Sequence, residues 1–113
     1  MTDPCIDLTV FNDLQDATGE DFAAELVTTF LDEAPGMIAE LRQAASATDA
    51  DAYRRAAHSI KSNASTFGAS ALATLARDME LGEMQAAQAI ADIDALEAEF
   101  ARAANALRDL INA

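Results

Sequence analysis

Apolar side chains between Tyr53 and Phe67 recur at the spacing of an α-helix. At about 100° per residue they share one face, which holds Tyr53, Ala56, Ala57, Ile60, Ala64 and Phe67. Similar stripes run through most of the chain, which has only two prolines and four glycines to interrupt them. Long helical patterns with few turn residues predict an all-α fold.

The stripes predict four substantial amphipathic helices after one short N-terminal helix. In chain order we expect a tail over 1–6 and then a helix around Leu8–Leu14 that closes near Thr18 and Gly19. A helix from Glu20 to about Ala45 and a helix from Asp49 or Asp51 to Phe67 should follow. The last two are a helix capped by Ser70 that ends between Gly82 and Ala87, and a helix from about Ala89 onward. Short connections make neighbouring helices antiparallel. The expected architecture is one domain over 1–113, an antiparallel up-and-down four-helix bundle with a short extra N-terminal helix.

Pro35 and Gly36 interrupt the second predicted helix. Proline lacks a backbone N–H and clashes with the preceding turn, so a kink or a complete break is expected there. The apolar spacing stays in phase from Phe30 through Met37 to Leu41. This continuity favours one kinked helix over two separate helices.

The chain is strongly acidic, with a formal net charge of −13. This charge argues against nucleic-acid binding, which needs a footprint of Lys and Arg, and against anionic membrane surfaces. A single cysteine, Cys5, cannot form an internal disulfide and suits a reducing compartment. No signal peptide and no apolar run of about 18 residues is apparent. The sequence therefore predicts a cytoplasmic protein without a membrane span.

His58 is the only histidine, and it lies outside the apolar stripe. Its position is roughly 150° from the centre of the stripe, on the outward face of the helix. Arg54, Arg55 and Lys61 fall within eight residues of this otherwise acidic chain. Small residues share the outward face, namely Ser62 and Ser65. The pattern indicates an accessible imidazole beside positive charge, although an ordinary surface histidine would also fit the position.

Several kinds of site are absent from the sequence. One histidine and one distant cysteine make a poor metal site, and no EF-hand spacing occurs. No Gly-rich phosphate loop is present, so neither a metal nor a nucleotide or other cofactor is expected. What remains is His58 as a nucleophile, because a neutral imidazole can attack phosphorus through its free ring nitrogen.

The run His58-Ser-Ile-Lys61-Ser-Asn-Ala-Ser-Thr-Phe67-Gly68-Ala69 resembles the signature of histidine-containing phosphotransfer domains. That signature reads His-x-Leu-Lys-Gly-Ser/Ala-x-x-x-Leu-Gly-Ala. Its later positions, which are Leu, then Cys or Ala, and then Leu-Glu, correspond without a gap to residues of this chain, namely Leu72, Leu75, Ala76 and Met79-Glu80. One departure is Ser62, which stands where the family has glycine. Serine is still small, so docking of a partner is expected to survive.

The resemblance implies that His58 accepts a phosphoryl group from the aspartyl phosphate of a receiver domain and passes it on. It implies Lys61 as an electrostatic aid, and we expect Glu80 to accept the Nδ1–H of the imidazole. The other expected roles are small docking-face residues at Ser62 and Ser65, docking charge at Arg54 and Arg55, and a helix end at Gly68.

The partners implied by the resemblance are response-regulator receiver domains and a hybrid or sensor histidine kinase, with the chain itself a monomer. An apolar patch from Val10, Phe11 and Leu14 is expected to complete the docking surface. Two alternatives stay open. One is a helical bundle that binds a protein partner without phosphotransfer. The other is the phosphoacceptor domain of a chemotaxis-type kinase, which is disfavoured because no kinase segments follow.

Overall fold

The computed structural model describes residues 5–112, and this range forms five α-helices without any strand. They are α1 (Leu8–Thr18), α2 (Glu20–Ala47), α3 (Ala50–Thr66), α4 (Ser70–Leu81) and α5 (Ala86–Asn112). The predicted all-α fold is confirmed. None of these helices is both long and apolar enough to cross a membrane.

The four long helices form a closed ring of neighbours. α2 packs on α3, α3 on α4 and α4 on α5, and α5 packs back on α2, while α1 lies against α2 and α3. The connections are only a few residues long, so consecutive helices run antiparallel. The predicted up-and-down four-helix bundle with a short extra helix is therefore confirmed.

The core holds the stripe from which α3 was predicted, since Tyr53, Ala56, Ala57, Ile60, Ala64 and Phe67 are all buried. Phe30 of α2 stacks on Phe67 with ring centroids 5.3 Å apart and meets the edge of Phe100 of α5 at 5.8 Å. These aromatic contacts join three elements of the bundle. The apolar stripes of α2 and α5 are covered less completely, because Phe22 of α2 is 51% and Ile90 of α5 is 59% exposed. Periodicity identifies a helix face but not how far along the helix that face is covered.

Helix α2 runs without a break through Pro35 to Ala47, two residues beyond the predicted end. One helix was the favoured interpretation, and the kink at Pro35 stays a prediction. Asp49, left open against Asp51, is the N-cap of α3, because its side chain accepts the backbone N–H of Ala52 at 3.1 Å.

The predicted N-cap residue of α4, Ser70, was wrong. Ala69 occupies the N-cap position without a side-chain hydrogen bond, and Ser70 is already the first helical residue. The reason is that the chain enters α4 directly from the tight end of α3, which leaves no separate capping turn. Helix α5 also begins earlier than predicted, at Ala86.

The end of α3 is a Schellman motif around Gly68. The backbone N–H of Gly68 donates to the carbonyl of Ser65 at 3.2 Å, and that of Ala69 donates to the carbonyl of Ala64 at 2.9 Å. Gly68 has a φ of +77°, in the left-handed region that glycine adopts without strain.

The segment before α1 is docked on this turn. The backbone N–H of Asp7 donates to the carbonyl of Gly68 at 2.7 Å, and Ile6 is only 2% exposed within the core. The prediction assigned Ile6 to a tail over 1–6, whereas Ile6 is a core residue. The first four residues of the predicted tail lie outside the described range.

Candidate functional site

His58 lies on the outward face of α3, where its side chain is 57% exposed. Its neighbours Ala57 and Ile60 are buried, so the backbone that carries the ring is fixed by the core. The imidazole is therefore held on a rigid helix and open to a partner.

Glu80 brings a carboxylate to this imidazole from the neighbouring helix. Because α3 and α4 are antiparallel and joined by a short connection, residues equally far from that connection lie side by side. His58 and Glu80 are eleven residues before and after Ala69. The Glu80 Oε2 atom lies 2.7 Å from His58 Nδ1, and its other oxygen, Oε1, accepts from Lys61 Nζ at 2.6 Å. A single carboxylate thus bridges the histidine and the lysine.

The charge of Glu80 determines which ring nitrogen of His58 carries the proton. The hydrogen bond from Lys61 has the largest effect on the pKa of the Glu80 carboxyl, and it lowers that pKa. Partial burial acts in the opposite direction, and the hydrogen bond from His58 lowers the pKa further. An ionised carboxylate can only accept hydrogen bonds. Nδ1 of His58 therefore carries the proton, and in the neutral ring Nε2 is the nitrogen with a free lone pair.

The lowered pKa of Glu80 predicts a pH-dependent contribution to stability. Because the pKa is lower in the folded than in the unfolded chain, the contribution is complete above about pH 4.5, near the unfolded value, and is lost as the pH falls through the folded value. We expect wild type to exceed Glu80→Gln in free energy of unfolding at pH 7 by more than at pH 3. Urea unfolding at both pH values measures this difference, with Glu83→Gln as an exposed control. A constant difference would contradict the prediction.

An open depression of about 570 Å³ surrounds the imidazole, and it is lined by Arg54, Arg55, His58, Ser59, Glu80 and Leu81. Leu81 is 69% exposed, although it is a large apolar side chain. Sequence reasoning missed Leu81 and Ser59. Leu81 could have been identified from the sequence, because it directly follows Glu80. It also lies outside the helix face that holds the buried residues Leu72, Ala76 and Met79.

The other predicted site residues divide into three groups. Ser62 and Ser65 are exposed on α3, as a docking face requires. Both Arg54 and Arg55 are exposed, but Arg54 forms an ion pair with Asp51, whereas Arg55 has no ion pair within residues 5–112. Gly68 is ten residues, or about 15 Å along a helix, from His58. It contributes to the end of α3 and not to the surroundings of the ring.

The predicted apolar patch on α1 was wrong at its central residue. Phe11 is 1% exposed, because it packs into the core. Val10 faces the turn at Gly68, where its Cβ would lie 3.1 Å from a Cβ added to the glycine. The exposed apolar residue that borders the imidazole is Leu81. Within the described part of the chain, no group of three or more His, Cys, Asp or Glu side chains is placed to hold a metal ion.

Comparison with known proteins agrees with this geometry. The family model described as Hpt domain matches residues 25–111. The structure resembles the crystal structure of histidine-containing phosphotransfer protein B (HptB) from Pseudomonas aeruginosa PAO1, with a TM-score of 0.86 and 30% sequence identity over 98% of this chain and 97% of that one. No match was found among curated proteins. The chain belongs to the Hpt domain family, whose members carry phosphoryl groups on histidine in phosphorelays.

Proposed function

We propose that this chain shuttles a phosphoryl group between the aspartates of two receiver domains, with His58 as the intermediate acceptor. The observation that carries the proposal is the imidazole itself. Its Nδ1–H is held by Glu80 at 2.7 Å, and the side chain is 57% exposed. The nucleophilic nitrogen is thus fixed in one tautomer and directed at the partner and not at the core.

The phosphoryl group passes directly from the aspartate of the receiver domain to His58. The Nε2 lone pair attacks phosphorus, an Nε2–P bond forms, and the P–O bond to the aspartyl carboxylate breaks, so that the carboxylate leaves as an anion. The proton stays on Nδ1, and the ring gains positive charge as the new bond forms. Glu80 stabilises that charge through its hydrogen bond, because its carboxylate lies next to the protonated nitrogen. Transfer to a second aspartate is the same step in reverse.

The depression around His58 supports docking of a receiver domain. Arg55, which forms no ion pair within residues 5–112, offers a positive charge to an anionic aspartyl phosphate, and Leu81 offers an apolar contact. Ser62 and Ser65 extend the face without bulk. A hybrid or sensor histidine kinase would be the source of the phosphoryl group.

The direct test is incubation with a phosphorylated receiver domain. We expect the label to move to this chain and to give an adduct that is labile in acid and stable in base, as a phosphohistidine is. Return of the label to a second, unphosphorylated receiver would complete the shuttle. If no label reaches the wild-type chain from any receiver of the source organism, the alternative of a binding module without phosphotransfer is favoured.

Leu81→Ser should weaken docking without changing the chemistry. Burying one leucine side chain against a partner contributes about 1.5–3 kcal/mol, so we expect the KM for the phosphorylated receiver to rise at least about tenfold at an unchanged saturating rate. Ile90→Ser is the matched control, because Ile90 is similarly exposed and lines a different surface depression. Equal KM values for the two variants would contradict a docking role for Leu81.

A further inference from the structure

Three of the seven cations of this chain form no ion pair within residues 5–112, although acidic residues outnumber cations by 20 to 7. The three are Arg55, Arg77 and Arg108. Two of them, Arg55 and Arg77, lie on α3 and α4, the helices that carry His58 and Glu80. Positive charge on the helices of the site is thus left available to a partner.

Arg77 lies on the outward face of α4, three residues before Glu80 and four before Leu81. At about 100° per residue it falls between these two around the helix, turned away from the buried face of α4. Its side chain is exposed. Arg77 does not line the depression around His58, so it extends the positive surface beyond that depression.

The carboxylate nearest to Arg77 along the helix is already occupied. Residues three and four positions apart are neighbours on a helix surface, and of the four such neighbours of Arg77 only Glu80 is acidic. Both Glu80 oxygens are bound, Oε2 by His58 and Oε1 by Lys61. Arg77 therefore keeps its charge free although a carboxylate lies one turn away.

Arg55 and Arg77 are displaced in opposite directions from the level of the imidazole. His58 contacts Glu80, so these two residues mark one level on the antiparallel helices α3 and α4. Each arginine is three residues before its own helix's member of that pair, or about 4.5 Å along the axis. The two charges are thus about 9 Å apart along the bundle, on different helices. A partner that satisfies both is held in one orientation over the imidazole.

We propose that Arg77 is a specificity-determining contact that binds an exposed carboxylate of the receiver domain docked over His58. The proposal rests on the proposed function of His58 as phosphoacceptor. Arg55 lines the depression and faces the aspartyl phosphate. Arg77 lies outside it and faces the surface of the receiver around its phosphorylation site. A receiver without a carboxylate at that position is therefore a poorer donor to this chain.

The acidic remainder of the chain strengthens this selection. A net charge of −13 repels an acidic partner from most of the surface. Arg108, the third cation without an ion pair, lies on α5 and not on the helices of the site. Charge pairs at the edge of an interface act mainly on the rate of association and on the choice of partner. The expected effect of Arg77 is therefore on docking and not on the chemical step.

Arg77→Glu should raise the KM for the phosphorylated receiver about tenfold at low salt and leave the saturating rate unchanged. Loss of one exposed charge pair accounts for about twofold to fivefold, and repulsion by the new carboxylate adds the rest. Arg77→Gln places no second carboxylate beside Glu80, and it should raise KM by the smaller factor alone. In about 1 M salt, where charges are screened beyond about 3 Å, both increases should largely disappear.

Arg108→Glu is the matched control, because it makes the same change in net charge at another exposed cation without an ion pair. It should leave KM nearly unchanged. Equal increases for Arg108→Glu and Arg77→Glu would overturn the proposal, since only net charge would then matter. A wild-type KM in Arg77→Glu, or a lower saturating rate, would overturn it as well. Circular dichroism of each variant checks that the helices are intact.

A charge swap identifies the partner group on the receiver. Exposed carboxylates of the receiver outside its phosphorylation pocket are replaced by lysine one at a time. One replacement should restore transfer to Arg77→Glu while weakening transfer to wild type. If none does so while wild type is still labelled, the inference is overturned and the phosphoacceptor role stands. Absence of any label on wild type would instead reject the proposed function itself.

Discussion

His58→Gln should abolish phosphotransfer and leave the fold intact. Glutamine offers an amide that can donate to Glu80 but has no nucleophilic lone pair for phosphorus, so no label from a phosphorylated receiver is expected. The His58 side chain is 57% exposed and is not part of the hydrophobic core. We therefore expect the free energy of unfolding to change by no more than about 0.5 kcal/mol. Transfer of labelled phosphate and urea unfolding measure the two effects.

The labelling experiment is unusually clear in this chain because His58 is its only histidine. Wild type should accept one acid-labile, base-stable label per chain, and the variant none. Ser59→Ala is the matched control, since Ser59 lines the same depression without contacting Glu80. An acid-labile label that persists on His58→Gln would rule out His58 as the acceptor. Binding of the variant to the receiver, measured by titration, then distinguishes loss of chemistry from loss of docking.

The position of His58 outside the core stripe was predictable because helical periodicity is a local property. Each turn of α3 repeats the same division between a buried and an exposed face, so the residues around His58 suffice to place it. The contact with Glu80 is different, because it depends on how α3 and α4 are aligned. The family resemblance provided that alignment, but the equal distance of the two residues from Ala69 could have provided it from the chain alone.

Features at the ends of elements were the least predictable. Ile6 is a single apolar residue before α1, and nothing in its neighbours shows that it returns to the core. Leu81 is apolar yet exposed, because α4 ends there. Phe22 and Ile90 continue apolar stripes near the starts of α2 and α5, where they remain exposed. In each case the outcome depends on which surfaces meet in three dimensions, and periodicity carries no information about that.

Gly68→Ala should be strongly destabilising, although it adds only one methyl group. A Cβ at this position would lie 2.6 Å from the carbonyl oxygen of Asp7, and the φ of +77° is strained for alanine. Left-handed strain costs about 1–2 kcal/mol. The clash is with backbone, so the segment before α1 has to move, which breaks the bond from Asp7 N–H to Gly68 and uncovers Ile6. We expect a total loss of about 3–5 kcal/mol in the free energy of unfolding, a large part of the stability of a typical domain.

Alanine substitutions at two other glycines distinguish backbone strain from the collision of an added Cβ. Gly19 has a φ of +91° and a ψ of 150°, a backbone region that essentially only glycine adopts, but nothing lies within 4 Å of an added Cβ, so Gly19→Ala should cost about 1–3 kcal/mol from strain alone. Gly36 lies inside α2 with free space around it, so Gly36→Ala should stabilise the protein by about 0.5–1 kcal/mol. Urea unfolding of the three variants should therefore give a gain, a modest loss and a large loss. Equal losses for Gly19→Ala and Gly68→Ala would show that the collision with Asp7 has no energetic consequence.

Ile6→Ala tests whether the large loss comes from undocking of the N-terminal segment. In the wild-type background it should cost about 2–5 kcal/mol, because Ile6 is buried in the core. In the Gly68→Ala background it should cost much less, since Ile6 has already left its site. Additive losses would mean that the segment stays docked and that the strain is absorbed within the turn. Phosphotransfer by the folded fraction of Gly68→Ala should be retained, because about 15 Å of helix separates this turn from His58.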